Sequence, residues 1–172
     1  MVIDNAGNVG IGTTTPAFPL SFGTALGDKI SLWSNSTNSY GFGIQGGLLQ
    51  IHTDNSSADI AFGYGSSSAF TETMRIKGNG GIGIGTPTPN ASALLDVSST
   101  TKGFLPPRMT SAQKNALTPV EGLMIYNTTS KKPNYYDGTE WRNFDGSLTY
   151  EIGDNYQGGK IAYILQPGDP GY

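Results

Sequence analysis

The chain has 172 residues and a formal net charge of −3, and only 13% of its residues are charged, against about 25% in a typical soluble domain. That balance argues against a nucleic-acid surface, which concentrates Lys and Arg to replace condensed counterions. The absence of cysteine removes disulfides, thiolate metal sites and cysteine nucleophiles together.

The 25 glycines are roughly twice the usual ~7% share. Ser, Thr and Asn supply the polarity that charges do not, and these residues favour turns over helices. The material reads as strand and loop. No basic stretch leading into an apolar run opens the chain, and no apolar run approaches the ~18 residues of a span. Neither a signal peptide nor membrane insertion is predicted.

Taken in chain order, the first element is half of an internal repeat. Residues 2–16 and 75–89 align without gaps at an offset of 73, so that Ile3, Gly7, Gly10, Ile11, Gly12, Thr13, Thr15 and Pro16 recur as Ile76, Gly80, Gly83, Ile84, Gly85, Thr86, Thr88 and Pro89. Each copy precedes a short apolar run, Leu20-Ser21-Phe22 or Leu95-Asp96-Val97. Within the copies, Val9-Gly10-Ile11-Gly12 and Ile82-Gly83-Ile84-Gly85 alternate with period two, putting β-branched side chains on one strand face and bare backbone on the other. Glycine weakens a strand by roughly 0.5–1 kcal/mol per position, so its repetition needs a reason. One is close approach of another strand or chain, as at the axis of an intertwined fibre, which makes these eight residues the expected contacts between chains, and trimer contacts if the resemblance described below holds. The other is a pair of glycine-rich turns between ordinary strands.

Between the copies, strands are predicted at Lys29–Trp33, Tyr40–Ile44, Leu48–His52, Asp59–Tyr64 and Glu72–Ile76, separated by Ser/Asn/Gly clusters such as Gly46-Gly47 and Asp54-Asn55-Ser56-Ser57. This rhythm suits a sandwich, a barrel or a β-prism. Each strand offers only two or three large apolar side chains against a backbone ordering cost of ~1–2 kcal/mol per residue. Assembly of several chains would supply the missing burial; a monomeric sandwich is the alternative.

Further on, Thr110 or Ser111 followed by Gln113 has the form of a capping box opening a helix through Leu117, with Pro119 as its stop. Asp137-Gly138 between Tyr136 and Thr139 signals a two-residue hairpin, which would set Asn134 opposite Trp141 and Tyr136 diagonally beside it. Tyr135, Tyr136 and Trp141 are the candidate receptor contacts, because rigid aromatic faces suit sugar rings and protein patches; the alternative is that they form the core of their own module. Residues 152–165 read as a strand opening a further, truncated domain.

Two stretches resemble known families. Gly7-Asn8-Val9-Gly10-Ile11-Gly12-Thr13, and Met74-Arg75-Ile76 leading into Gly81-Ile82-Gly83-Ile84-Gly85-Thr86, resemble the repeat that closes modules in phage tail fibres and related bacterial surface proteins. The second copy carries Gly80-Gly81 where Asn-Val is common, which predicts a different turn. Residues 94–144, from Leu94-Leu95-Asp96-Val97 through Gly103-Phe104-Leu105-Pro106-Pro107-Arg108 to Tyr136-Asp137-Gly138-Thr139-Glu140-Trp141, resemble a small module of phage fibres and Bacteroidetes surface proteins. The resemblance implies a homotrimer that binds or displays, located in a virion tail or an extracellular appendage. Its implied partners are copies of itself, other tail or appendage proteins, and a host surface glycan or protein.

The combined expectation is a mainly β, elongated, intertwined trimeric fibre of β-prism or sandwich-like modules with one short helix near residues 111–117. Its segments are 1–22 (first repeat and shaft), 23–74 (β-rich module), 75–98 (second repeat), 99–146 (helix-plus-hairpin module) and 147–172 (start of the C-terminal domain). No enzyme activity and no cofactor are predicted. Gly78-Asn79-Gly80-Gly81-Ile82-Gly83 has the spacing of a dinucleotide loop, but a Thr-Pro-Thr-Pro tract follows where a helix N-terminus would be needed. His52, the sole histidine, is the one candidate metal ligand, with Asp54 on its strand face; a solvent-facing role is the alternative. Asp28, Asp54, Asp59, Glu72, Glu121, Asp137 and Glu140 could supply a glycosidase pair, but they sit in turn-like contexts or beside a cation, as Glu72 does with Arg75. Besides the display role, the readings to weigh are a bacterial adhesin and a polysaccharide-degrading spike.

Overall fold

A computed structural model describes residues 1–35, 38–150, 155–156, 159–161 and 164. The chain divides into two compact units, Met1–Lys102 and Gly103–Tyr172. Both are built from small sheets, and the described residues contain one short helix. The mainly β expectation therefore holds. Among the described residues no sheet closes into a barrel.

The first unit holds three sheets. Strands β1 (Val2–Ile3), β2 (Val9–Ile11) and β3 (Leu20–Phe22) form one, with β2 in the centre. Strands β4 (Gly27–Ser34), β5 (Ser39–Gln45) and β6 (Leu48–His52) form an antiparallel meander. Strands β7 (Ile60–Ser66), β8 (Ala69–Ile76), β9 (Ile82–Ile84) and β10 (Leu95–Val97) form the third, in the order β10-β9-β8-β7. All five strands expected between the repeat copies form; Leu48–His52 keeps its ends, and the others shift by up to three residues.

The repeat in sequence is a repeat in space. In the first copy Val2 and Ile3 pair antiparallel with Gly10 and Val9, and in the second Arg75 and Ile76 pair with Gly83 and Ile82. On the other side Leu20-Ser21-Phe22 runs parallel to Val9-Gly10-Ile11, as Leu95-Asp96-Val97 does to Ile82-Gly83-Ile84. The turn expected to differ does not: Gly7 N–H donates to the Asp4 carbonyl at 3.0 Å and Gly80 N–H to that of Lys77 at 2.9 Å. Both glycines have positive φ, +85° and +97°.

The bare strand face has an intrachain explanation. A Cβ on Gly10 would stand 2.4 Å from the Thr13 carbonyl oxygen, and one on Gly83 would stand 2.3 Å from that of Thr86. Each copy folds its own Thr-x-Thr-Pro turn back over its central strand, and the space read as room for another chain is filled by this turn. The next glycines, Gly12 and Gly85, take φ of +71° and +74°, a region closed to most side chains.

In the meander, two irregularities in β4, at Lys29 and Leu32, keep like against like. Ile30 pairs with Phe42 and Trp33 with Tyr40, while Asp28 pairs with Gly43 and Ser31 with Gly41. On the far side Phe42 pairs with Ile51, Ile44 with Leu49, and Gly41 with His52. One face is thus apolar, and the other carries Asp28, Gln50 and His52 over glycines. A bulge at Thr73 acts similarly in β8: Phe62 pairs with Met74 but Gly63 pairs with Glu72, which brings Glu72 round to the face of Arg75.

The second unit contains β11 (Arg108–Met109), helix α1 (Ser111–Asn115), β12 (Met124–Asn127), β13 (Lys132–Tyr136) and β14 (Trp141–Asn143). The sheet order is β11-β12-β13-β14. Thr110 is the N-cap, and the capping box with Gln113 forms in both directions. The helix ends with Ala116 as its C-cap, short of the expected Leu117. A two-stranded ladder, β15 (Asn155–Tyr156) with β16 (Gly159–Lys160), follows. Most of the strand expected over 152–165 lies outside the described residues.

The hairpin register differs from expectation. Tyr136 pairs directly with Trp141 and Asn134 with Asn143, so four residues, 137–140, make the loop. Only Gly138 within it has positive φ, +99°, whereas a type I′ turn needs two such residues. Asp137 is held instead by its own carboxylate, whose Oδ1 accepts from the N–H groups of Thr139 and Glu140, both at 2.8 Å. The Asx geometry outcompetes the tighter turn.

Gly83→Ala should destabilise the fold by about 1–3 kcal/mol, because its methyl meets backbone that has to shift. Gly46→Ala, whose Cβ would meet open space, should stay within about 0.5 kcal/mol. Urea midpoints followed by circular dichroism compare the two.

Candidate functional site

Ile125 is the only buried large apolar side chain among the described residues. The chain exposes 12424 Å², against about 8,100 Å² for a compact monomer of its mass and about 9,700 Å² for two separate units of half that mass. Large apolar side chains are exposed along particular sheet faces.

The clearest such face belongs to β7–β10. Across the four strands, Ile60, Ile76, Ile82 and Leu95 form one cross-strand row, and Phe62, Met74, Ile84 and Val97 form the next. Ile84, Leu95, Val97 and Phe62 are all more than two-fifths exposed. The first copy repeats this with Ile3, Val9 and Leu20 in one row and Ile11 and Phe22 in the next. The opposite face of β7–β10 is ionic. Arg75 donates through Nε to Glu72 Oε1 and through Nη1 to Asp59 Oδ2, both at 3.0 Å, and Lys77 Nζ donates to Asp59 Oδ2 at 2.7 Å. One face therefore satisfies itself, and the other leaves its apolar rows uncovered.

In the second unit the alternation of β12–β14 gives two unlike faces. The inner one carries Ile125, Asn127, Asn134, Tyr136, Trp141 and Asn143, and α1 packs against it. Ser111 and Asn127 hydrogen-bond through their side chains, with Asn127 Nδ2 donating to Ser111 Oγ at 2.9 Å. Asn134 Nδ2 donates to Asn143 Oδ1 at 2.9 Å, and Asn143 Nδ2 donates to Ser147 Oγ at 2.9 Å. Lys114, 3% exposed, donates to Thr149 Oγ1 at 3.0 Å, its ammonium 5.8 Å from the Trp141 ring centre. The outer face carries Met124, Tyr135 and Phe144 around a shallow apolar concavity. Tyr135 meets Phe144 edge to face at 6.0 Å between ring centres.

The three aromatics expected to act together are thus divided. Tyr136 and Trp141 stack edge to face at 5.6 Å on the inner side, as part of the packing of their own module. Tyr135 points the other way, with Met124 and Phe144 as companions. A cluster of all three rings would need one face, but Tyr135 and Tyr136 are neighbours in β13 and so point to opposite sides. The buried asparagines gave no signal in the sequence, since Asn normally reads as turn or surface. Met124 comes beside Tyr135 through the β12–β13 pairing, which no motif in the sequence pointed to.

His52 is half-buried, and its Nε2 lies 3.3 Å from Asp28 Oδ1 without hydrogen-bond geometry. It is therefore not a simple solvent-facing strand end. Asp28 Oδ2 also accepts from Ser39 Oγ at 3.0 Å. No group of three or more metal-ligating side chains stands together among the described residues. Of the candidate carboxylates, Asp59 and Glu72 share Arg75, Asp137 pairs with Arg142, and Glu140 accepts from Tyr150 at 3.4 Å.

Residues 83–157 match the family model of a phage tail like trimerisation region. The match runs from β9 and β10 through the whole α1–β14 module. It supports a trimeric structural role of the tail-fibre type, self-association as a homotrimer, and a place in a virion tail or appendage. No curated protein matches the chain. No helix among the described residues is long and apolar enough to cross a membrane.

The ion pairs of the polar faces impose a pH dependence. The Arg142 guanidinium, helped by the Glu140 and Thr139 N–H groups and the Thr139 hydroxyl, holds the Asp137 carboxyl below the usual range. Lys77 does the same for Asp59 and Arg75 for Glu72. A lowered folded-state pKa gives stability that is present above the unfolded value of about 4 and is lost as pH falls through the folded one. The urea midpoint should hold steady from neutrality to about pH 5 and then fall. Asp137→Asn should start lower at neutral pH and fall less in acid.

Proposed function

We propose that the chain is a homotrimeric structural segment of a phage tail fibre or related appendage, which spaces and displays a receptor-binding region for attachment to a host cell surface. Its role is mechanical and adhesive rather than catalytic. The observation that carries this reading is the pair of uncovered apolar rows on β7–β10, of which Ile84, Leu95 and Val97 lie in the segment similar to a trimerisation region. Chains of one kind meeting along these rows bury what a single chain leaves in water. The side chains of Val9, Ile11, Ile82 and Ile84 serve as contacts between chains, and the glycines between them serve the fold of each chain.

Three further observations support the reading. The candidate carboxylates with charged or hydroxyl partners are engaged in ion pairs and hydrogen bonds of the fold. The formal charge is negative, which disfavours a polyanionic partner. On the outer face of the second unit, Tyr135 with Met124 and Phe144 offers a rigid apolar patch suited to a sugar ring or a protein surface.

Sedimentation of the full chain at micromolar concentration should give the mass of three chains. Ile84→Asp together with Val97→Asp should raise the dissociation constant at least ~100-fold, since each lost side-chain burial is worth about 1.5–3 kcal/mol. Circular dichroism of the variant should stay that of the parent, because both positions are exposed in the single chain. A single-chain mass for the parent at that concentration would overturn the proposal.

A further inference from the structure

The meander β4–β6 lies outside the segment that matches a trimerisation region, yet it carries an uncovered apolar face of its own. Ile30, Phe42 and Ile51 align across the three strands, and Ile44 pairs with Leu49 one step along. Leu49 is 66% exposed and Ile51 53%, although strand side chains of this kind are normally inside. Phe22, the last residue of β3, joins Ile30, Phe42, Ile44 and Leu49 around one concavity of about 410 Å³. The face is therefore continuous with the first repeat copy. That copy shares its strand register with β8–β10, part of which falls in the matched segment.

From this we infer that the β4–β6 face is a second interface between copies of this chain, separate from residues 83–157. The inference rests on the reading that the chain self-associates. The occupant follows from chemistry. No charged side chain takes part in the cross-strand pairs of this face, and the Lys29 ammonium at its rim is already bound by the carbonyls of Gly23 and Ala25. A partner recognised by charge finds nothing to pair with, whereas an identical apolar face is complementary without any cost of burying ions. The opposite side of the sheet, with Asp28, Gln50 and His52, is the side suited to water.

The absence of cysteine makes the test direct. Single variants Leu49→Cys and Ile51→Cys are made in the full chain, with Ser67→Cys, in an exposed hairpin turn, as the reference. Maleimide labelling is followed in the assembled protein and again in urea, alongside the sedimenting mass. The expected result is a three-chain mass, labelling at positions 49 and 51 slowed at least about tenfold relative to position 67, and equal rates in urea. A short bis-maleimide should then link two chains through position 49 or 51. A three-chain mass with fast labelling at both positions overturns this inference and leaves the proposed function standing. Slow labelling without a cross-chain link assigns the cover to the same chain, which also overturns it. A single-chain mass overturns both.

Discussion

The constraint on which this structure depends is that its sheets are two-sided but covered on only one side. Each sheet of the first unit pairs a polar, glycine-bearing or ionic face with an apolar one. The polar faces close upon themselves: Arg75 gathers Glu72 and Asp59, and the Thr13 and Thr86 carbonyls fold over Gly10 and Gly83. Among the described residues the apolar faces have no such partner. In water, rows such as Ile60-Ile76-Ile82-Leu95 are a standing driving force for association, scaling with the area that another surface can remove from solvent.

The same constraint accounts for the composition. A globular domain places charge outside and a core inside, but a chain whose core is shared with its neighbours needs a thin sheet with one dry face. Low charge, frequent Ser and Thr, and glycine at positions of close approach are what such a sheet requires. Much of this could be read from the sequence, because the repeat imposes itself twice at the same spacing and the five intervening strands keep a clear period. The role of the glycines could not. Val-Gly-Ile-Gly shows where side chains are missing but not what fills the space, and the filler here is a carbonyl three residues on, placed by a turn whose geometry is not written in the alternation itself.

The second unit was legible in its parts and misread in its register. Thr110 and Gln113 announce their capping box because both partners are local. Asp137-Gly138 announces a turn, but the Asp137 carboxylate recruits the Thr139 and Glu140 N–H groups and the Arg142 guanidinium, which lengthens the loop to four residues. The longer loop sets Tyr136 directly opposite Trp141 and Asn134 opposite Asn143. It leaves the faces unchanged: Tyr135 points away from its neighbour Tyr136 in either register, because side chains alternate along a strand.

With Ile125 the one buried aliphatic side chain among its described residues, the second unit is held mainly by polar groups. Asn127 with Ser111, and Asn134 with Asn143 and Ser147, form bonds that fix the α1–sheet contact and the strand register in one geometry. Buried hydrogen bonds contribute modestly to net stability but penalise every arrangement that leaves them unmade. An apolar core of the same small size would tolerate sliding. Directional polar contacts inside the module thus hold it in one geometry, and with it the shape of the outer face that carries Met124, Tyr135 and Phe144.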